Sequence, residues 1–253
     1  MGKETKETAV VKSNSQALAV PDFIKNATVG GSSLDTEDMV IPRLKIIQKL
    51  DPVFESDPAL GGCFYNNLTG ESYGKEVEVV VLVATSGILL FGKKGTPDEG
   101  KILARKFKGS IFPSLNPEKI TDDMIQWTKG EDGEPDEKPE ANKVFTYILI
   151  ANGKDMLQFS AMGTGLKPGK KLNTLLGKGA LHVKKFRLST TWVDAGPQKK
   201  YYTFEVAPAG MMTADDEPTF RMAENLLVNI SGKTIAHETD EKSNKDNGDE
   251  KPF

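Results

Sequence analysis

The apolar positions of this chain recur mostly at a spacing of two. Val77 to Ala84 is the strongest run, five valines and a leucine interrupted by Glu78, and it predicts a buried β-strand. Ile88 to Phe91 follows Gly87 and predicts a separate strand. Val144 to Ala151 and Asp155 to Ala161 flank Asn152-Gly153, and two apolar runs about an Asn-Gly pair predict a hairpin. Leu181 to Val193 alternates and is expected to pair with Tyr201 to Ala207 across a Gly196-Pro197 turn. Val40 to Gln48 alternates roughly, with Pro42 confining it to an edge or a strand start. A short strand is expected at Cys63 to Tyr65, between turns at Gly61-Gly62 and Asn66 to Gly70. Lys101 to Ser110 fits strand or helix. Helical spacing appears at Glu217 to Ile230, where Phe220, Ala223, Leu227 and Ile230 share a face and Asp215 or Asp216 is placed to cap it. Shorter helices are expected at Lys170 to Leu176, closed by Gly177, and around Ile120 to Thr128. About seven short strands and two or three helices predict a mainly β fold: an OB-like Greek-key barrel with helical additions, or a small β-sandwich.

Composition divides the chain. Residues 1–36 are rich in Lys, Glu, Ser, Thr and Gly and read as a flexible arm; 37–235 is the β-rich domain; 236–253 is purely polar until its last two residues and reads as a disordered acidic tail. Within the domain, 118–140 carries prolines and acids and reads as a long solvated loop. The single cysteine, Cys63, rules out an intrachain disulfide framework and fits a reducing compartment. Met1 to Val11 has no apolar signal region, and the longest apolar run is too short to span a bilayer. A cytoplasmic protein without a membrane partner is expected. Without secretion, the Asn67 and Asn229 glycosylation patterns carry no meaning.

The formal charge of −3 conceals segregation. Residues 141–204 hold eleven Lys and Arg against Asp155 and Asp194, a net +9, whereas 118–140 is −6 and 236–253 is −3. A local field of this sign attracts a polyanion whatever the overall charge.

Most catalytic chemistry finds no support. Gly87 to Lys93 has the spacing G-x-x-x-x-G-K, but Lys94 follows where Mg²⁺ chemistry needs Ser or Thr, and the intervening residues are bulky and apolar. A core strand is the better reading. Cys63, His182 and His237 share no metal-ligand spacing. Cys63 reads as a small buried group and His182 as a sheet or phosphate-contact residue. Asp122/Asp123 and Asp215/Asp216/Glu217 sit in polar surroundings that would not split their pKa values. No enzyme, cofactor or metal is therefore expected. The stretch from Gly163 to Lys171 is different: it can set backbone N–H groups and lysines beside a phosphate at a helix start.

Positive charge and aromatics interleave between Lys143 and Phe204. Lys184, Phe186, Leu188, Thr190 and Trp192 share one strand face; Val183, Lys185, Arg187, Ser189 and Thr191 share the other. Tyr201 faces opposite to Tyr202 and Phe204. Exposed aromatics beside cations suit unpaired bases, which stack on the rings while the cations follow the backbone. The expected DNA-binding set is Lys143, Phe145, Tyr147, Lys167, Lys170, Lys171, Lys184, Lys185, Phe186, Arg187, Trp192, Lys199, Lys200, Tyr201 and Tyr202. Lys93, Lys94, Arg105 and Lys106 would extend the groove.

The tail ends Asp249-Glu250-Lys251-Pro252-Phe253. An acidic tether tipped by Pro-Phe resembles the tails of bacterial and phage single-stranded DNA-binding proteins, departing from the bacterial pattern in Lys251 and in fewer contiguous acids. The resemblance implies that Pro252 and Phe253 dock on replication or recombination proteins, and that Asp249 and Glu250 belong to an acidic stretch competing with DNA for the groove. The Ile41-Pro42-Arg43-Leu44 opening and the Gly70-Glu71 turn resemble phage early proteins. These readings converge on a sequence-nonspecific single-stranded DNA-binding protein for phage replication or recombination, acting in the host cytoplasm. Its partners are single-stranded DNA and the tail's docking proteins, with self-association open. The alternatives are a virion, scaffold or recombination-mediator protein without single-strand preference, and a nucleic-acid-processing enzyme.

Overall fold

The structure is a computed structural model that describes residues 41–109, 111–127, 139–177, 180–196 and 200–230. Among the described residues nine strands, all antiparallel where they pair, form two sheets, and neither sheet closes on itself. The small sheet runs β1 (Leu44–Ile46), β2 (Phe64–Asn66), β3 (Ser72–Gly74). The large sheet is built on β4 (Glu76–Phe91), in the order β7 (Asp155–Met162), β6 (Ala141–Ala151), β4, β8 (Lys184–Asp194), β9 (Lys200–Met211).

The two expected strands at Val77 and Ile88 are one strand of 16 residues. Thr85-Ser86-Gly87 does not break it because the sheet uses both features of that stretch. Along one edge β4 pairs with β6 from Val79 to Leu90; the other edge is divided, with Glu76–Val80 on β8 and Gly87–Phe91 on β5 (Ile102–Phe107). Gly87 admits the ring of Phe107, which would lie 2.4 Å from a Cβ there. The ladder shifts register between Val81 and Val83. Such a bulge exchanges the strand's faces, so Val80 before it, Leu82 within it and Leu89 after it reach the same side.

Both faces of the sheet are covered. On one, Val77, Val79, Val81, Tyr147, Leu149, Phe186, Leu188 and Phe204 pack with Leu44 and Phe64 of the small sheet and with Leu172 and Leu176 of α2 (Leu166–Leu176). On the other, Val80, Leu82, Leu89, Ile148 and Ile150 pack with Phe107, Phe112 and, from α3 (Glu217–Ile230), Ala223 and Ile230. The period-two pattern thus fills two cores at once. Each fully buried large side chain contributes about 1.5–3 kcal/mol.

The local signals act as the residue chemistry dictates. Asn152 and Gly153, with φ of 46° and 69°, turn the β6–β7 hairpin. Gly177 at φ 61° ends α2, which begins four residues earlier than the spacing suggested. Thr213 and Asp216 form a capping box on the 3₁₀ turn leading into α3. Lys101 to Ser110 contributes a strand, β5, and not a helix. The expected helix at 120–128 is replaced by 3₁₀ turns at Pro117–Lys119 and Asp123–Ile125. A short helix not foreseen, α1, spans Pro52–Ser56. The arm 1–36, the tail 236–253 and residues 128–138 of the acidic loop lie outside the described residues.

Candidate nucleic-acid interface

The edge strands of the large sheet, β7 and β9, come together on one side of the molecule. Phe159 of β7 and Phe204 of β9 meet edge to face with ring centroids 4.9 Å apart. The segment around β1 lies across this seam and holds both edges. At its start, the Gln158 N–H donates to the Pro42 carbonyl at 2.8 Å and Arg43 bridges Gln158 in parallel. At its end, the Gln48 carboxamide acts as a strand would: Oε1 accepts from the Tyr202 N–H and Nε2 donates to the Tyr202 carbonyl, both at 2.9 Å. Asp51 fixes the Gln48 backbone by accepting its N–H at 2.5 Å. What remains open between the edges is a cleft of about 520 Å³ whose lining includes Arg43, Lys45, Gln48, Asp51, Phe159, Ser160, Thr164, Tyr202 and Phe204.

Aromatic rings and a cation gather beside Tyr202. Trp192 pairs with Tyr202 across the β8–β9 ladder, their rings 4.8 Å apart, and keeps 36% of its surface exposed. Lys49 places its ammonium 4.5 Å from the Trp192 ring centroid, an attraction worth roughly 0.5–1 kcal/mol at an exposed site. Gly62 supports the other side of Tyr202; a Cβ there would sit 2.6 Å from the Tyr202 ring, and its φ of 80° already calls for glycine. Local sequence explains the arrangement. Phe186 and Leu188 are buried in the core, and Trp192, on the same face four residues beyond Leu188, reaches past it.

Several residues expected to touch DNA lie in the interior. Phe145, Tyr147 and Phe186 are buried core side chains with no ring face to offer a base. The Tyr147 hydroxyl donates toward the Gly169 carbonyl (3.1 Å) and Asn173 Oδ1 (2.9 Å) of α2, and burial raises its pKa. Arg105 is buried, and its Nε donates to the Pro113 carbonyl at 2.8 Å; it holds the 111–115 segment against β5. Lys184 donates to the Leu176 carbonyl at 2.5 Å and so caps α2, the favoured place for a cation at a helix C-terminus. Lys185 lies 3.1 Å from Asp216 and 3.5 Å from Glu78, with side-chain exposures of 17% for Lys185 and 20% for Asp216. The Asp216 hydrogen bond holds the Lys185 ammonium above its ordinary pKa. Backbone and side-chain bonds from Thr213, joined by Lys185, hold Asp216 below the usual carboxylate range.

Other cations are surface groups. Lys93 pairs with Glu140 at 2.7 Å and Lys200 with Asp194 at 3.0 Å. Lys94, Lys106, Lys143, Lys167, Lys170, Lys171 and Arg187 are exposed. The ladders set Lys106 and Lys143 on either side of Ile88, joining two cations 37 positions apart in sequence. Lys167, Lys170 and Lys171 ride on α2, whose 3₁₀ entry, Gly163–Gly165, borders the cleft. Tyr201 is half-buried and faces away from Tyr202. Lys199, Asp249, Glu250, Pro252 and Phe253 lie outside the described residues.

The basic residues therefore do not form one continuous groove on β8 and β9. Arg43, Lys45 and Gln48, none of them among the expected contacts, line the cleft, and Lys49, also not expected, lies against Trp192 beside it. Their signal was the alternation from Ile41 to Gln48, which sets Arg43 and Lys45 apart from Leu44 and Ile46. Cys63 is buried, and His182 sits on a 3₁₀ turn with its ring 5.4 Å from that of Phe220. Among the described residues no three His, Cys, Asp or Glu are grouped to hold a metal ion, and no helix is long and apolar enough to cross a membrane.

A family model described as Pam3 phage gp34-like protein matches residues 11–236. The chain belongs to this family. The match covers the small sheet, the large sheet and both helices that pack on it. No curated protein and no solved structure matches the chain.

Proposed function

We propose that the protein binds single-stranded DNA without sequence preference, in phage replication or recombination in the host cytoplasm. On this reading the curled large sheet is an OB-like barrel left open at the seam between β7 and β9. The observation that carries the proposal is the partly exposed Trp192–Tyr202 pair with Lys49 against it, at the mouth of a cleft bordered by Arg43 and Lys45. Unpaired bases stack on such rings for roughly 1–3 kcal/mol each, and the cations neutralise phosphates. A duplex keeps its bases inside the helix and leaves the rings unused. Membership of a phage protein family is in keeping with a role in phage DNA metabolism. The exposed lysines of α2 and the Lys106–Lys143 pair extend the path of the strand, and the acidic tail ending in Pro252-Phe253 docks partner proteins and competes for the cations.

Tryptophan fluorescence tests the proposal. The chain has two tryptophans, Trp127 and Trp192. In a Trp127→Phe variant the remaining emission comes from Trp192, and saturating oligo-dT should quench it strongly while duplex DNA leaves it nearly unchanged. Unchanged emission with bound oligo-dT would remove Trp192 from the interface.

A further inference from the structure

The seam has a second property, set by the direction of its backbone groups. In an antiparallel ladder alternate residues turn both N–H and C=O toward the partner strand or away from it. Tyr202 turns both away from β8, since both are held by Gln48. Phe204, two residues on in unbroken register, does the same. Its ladder partner Thr190 confirms the phase, because the Thr190 N–H leaves β9 to donate to the Lys75 carbonyl at 2.9 Å. Phe204 lines the cleft, and among the described residues no group bonds its outward N–H or C=O. By the same count, Gln158 turns its N–H outward to Pro42, and Ser160, two residues on, turns its backbone outward into the cleft.

We infer that the cleft receives one everted base of the bound strand, held by the main-chain N–H and C=O of Phe204. This inference rests on the single-stranded DNA reading. Gln48 displays the required chemistry one step along the same edge, where an adjacent acceptor and donor satisfy the N–H and C=O of a single residue. The Watson–Crick edge of every base carries such an adjacent acceptor and donor, and it becomes available when a base leaves its stack. About 520 Å³ lies within the range of small-ligand sites. Arg43 and Lys45 on the lining flank the phosphates, and Tyr202, one ring of the stacking pair, ends the pocket. A peptide strand is the weaker occupant. β-Augmentation needs a run of free edge, and the β1 segment with Gln48 already takes the neighbouring groups at Gln158 and Tyr202, leaving within the cleft lining the single outward residue Phe204 on β9 beyond Gln48's hold, facing Ser160 on β7.

The test uses the full-length protein and the shortest oligo-dT that binds it. Each thymidine in turn is replaced by its 2,4-difluorotoluene isostere, which keeps the shape and loses the hydrogen bonds. One position should lose affinity about tenfold or more, as expected for two desolvated hydrogen bonds, and the others less than about twofold. Thr164 is an exposed residue of the cleft lining, and Thr164→Trp fills the cleft. In that variant the sensitive position should disappear; Thr164→Phe gives the same reading if the larger side chain prevents folding. An isostere tolerated at every position of a tightly bound oligonucleotide overturns the inference and leaves the single-strand reading intact; a seam that takes peptide gives this result. A sensitive position that survives in the Thr164 variants places the base elsewhere and also overturns it. Failure of unmodified oligo-dT to bind overturns both.

Discussion

Replacing Gln48 measures what the seam is worth. Gln48→Ala removes two hydrogen bonds of 2.9 Å and exposes the Tyr202 N–H and C=O to the cleft. Each bond contributes about 0.5–1.5 kcal/mol net, so the variant should lose about 1–3 kcal/mol. In a domain of roughly 150–250 residues each kcal/mol moves Tm by about 2–4 °C, which places the fall at about 2–12 °C. Gln48→Glu separates the two bonds. A carboxylate still accepts the Tyr202 N–H but sets a second oxygen against the Tyr202 carbonyl. At neutral pH it should be no better than Gln48→Ala. Once protonated, around pH 4 or somewhat above, it again carries a donor and should approach the wild type. Thermal melts across pH 3.5–8, with hydrogen exchange at the Tyr202 amide, report both effects. Gln48→Ala within about 0.5 kcal/mol of wild type, with unchanged protection at Tyr202, would refute the view that this side chain ties the β1 segment to β9.

Further outcomes are expected. Tyr147→Phe should cost about 1–2 kcal/mol in chemical denaturation, because Gly169 and Asn173 lose a buried donor, yet leave DNA affinity unchanged. Trp192→Ala should weaken oligo-dT binding by about 1–3 kcal/mol in titration, with only a small change in stability. Gly62→Ala should destabilise the fold and weaken DNA binding together, since the new methyl displaces Tyr202 and the backbone is left-handed there. Asp216 is held below its unfolded pKa, so its contribution is present above about pH 4 and is lost as pH falls through the native value; the stability gap between wild type and Asp216→Asn should close on acidification. Lys185 has the opposite sign, with a contribution present below about pH 10 and lost as pH rises through its raised native value.

Much of the fold was legible because alternation is a local signal. The β6–β7 hairpin follows from Asn152-Gly153, and the facing of Phe186, Leu188 and Trp192 follows from parity along β8. What parity does not tell is which alternating face meets the core. Phe145 and Tyr147 were read as possible stacking rings although β6 is covered on both sides, by α2 and by α3. Arg105 counted as a surface cation because its partner is a carbonyl eight residues away, which leaves no mark in a charge pattern. The continuity of β4 through Gly87 depends on Phe107 arriving from another strand. The seam itself is a long-range event: Gln48 and Tyr202 are 154 positions apart. Their meeting depends on how far the sheet curls, which no window of sequence records.

Fluorescence anisotropy tests the central claim most directly. A labelled oligo-dT is titrated with the full chain and with a truncation after Ala236, across a salt series and against duplex competitor. The account predicts tight single-strand binding that duplex competes for poorly. It also predicts a log–log salt slope of about −0.7 per phosphate neutralised, and tighter binding once the acidic tail is removed. Equal affinity for single and double strands, or no binding to either, would contradict it.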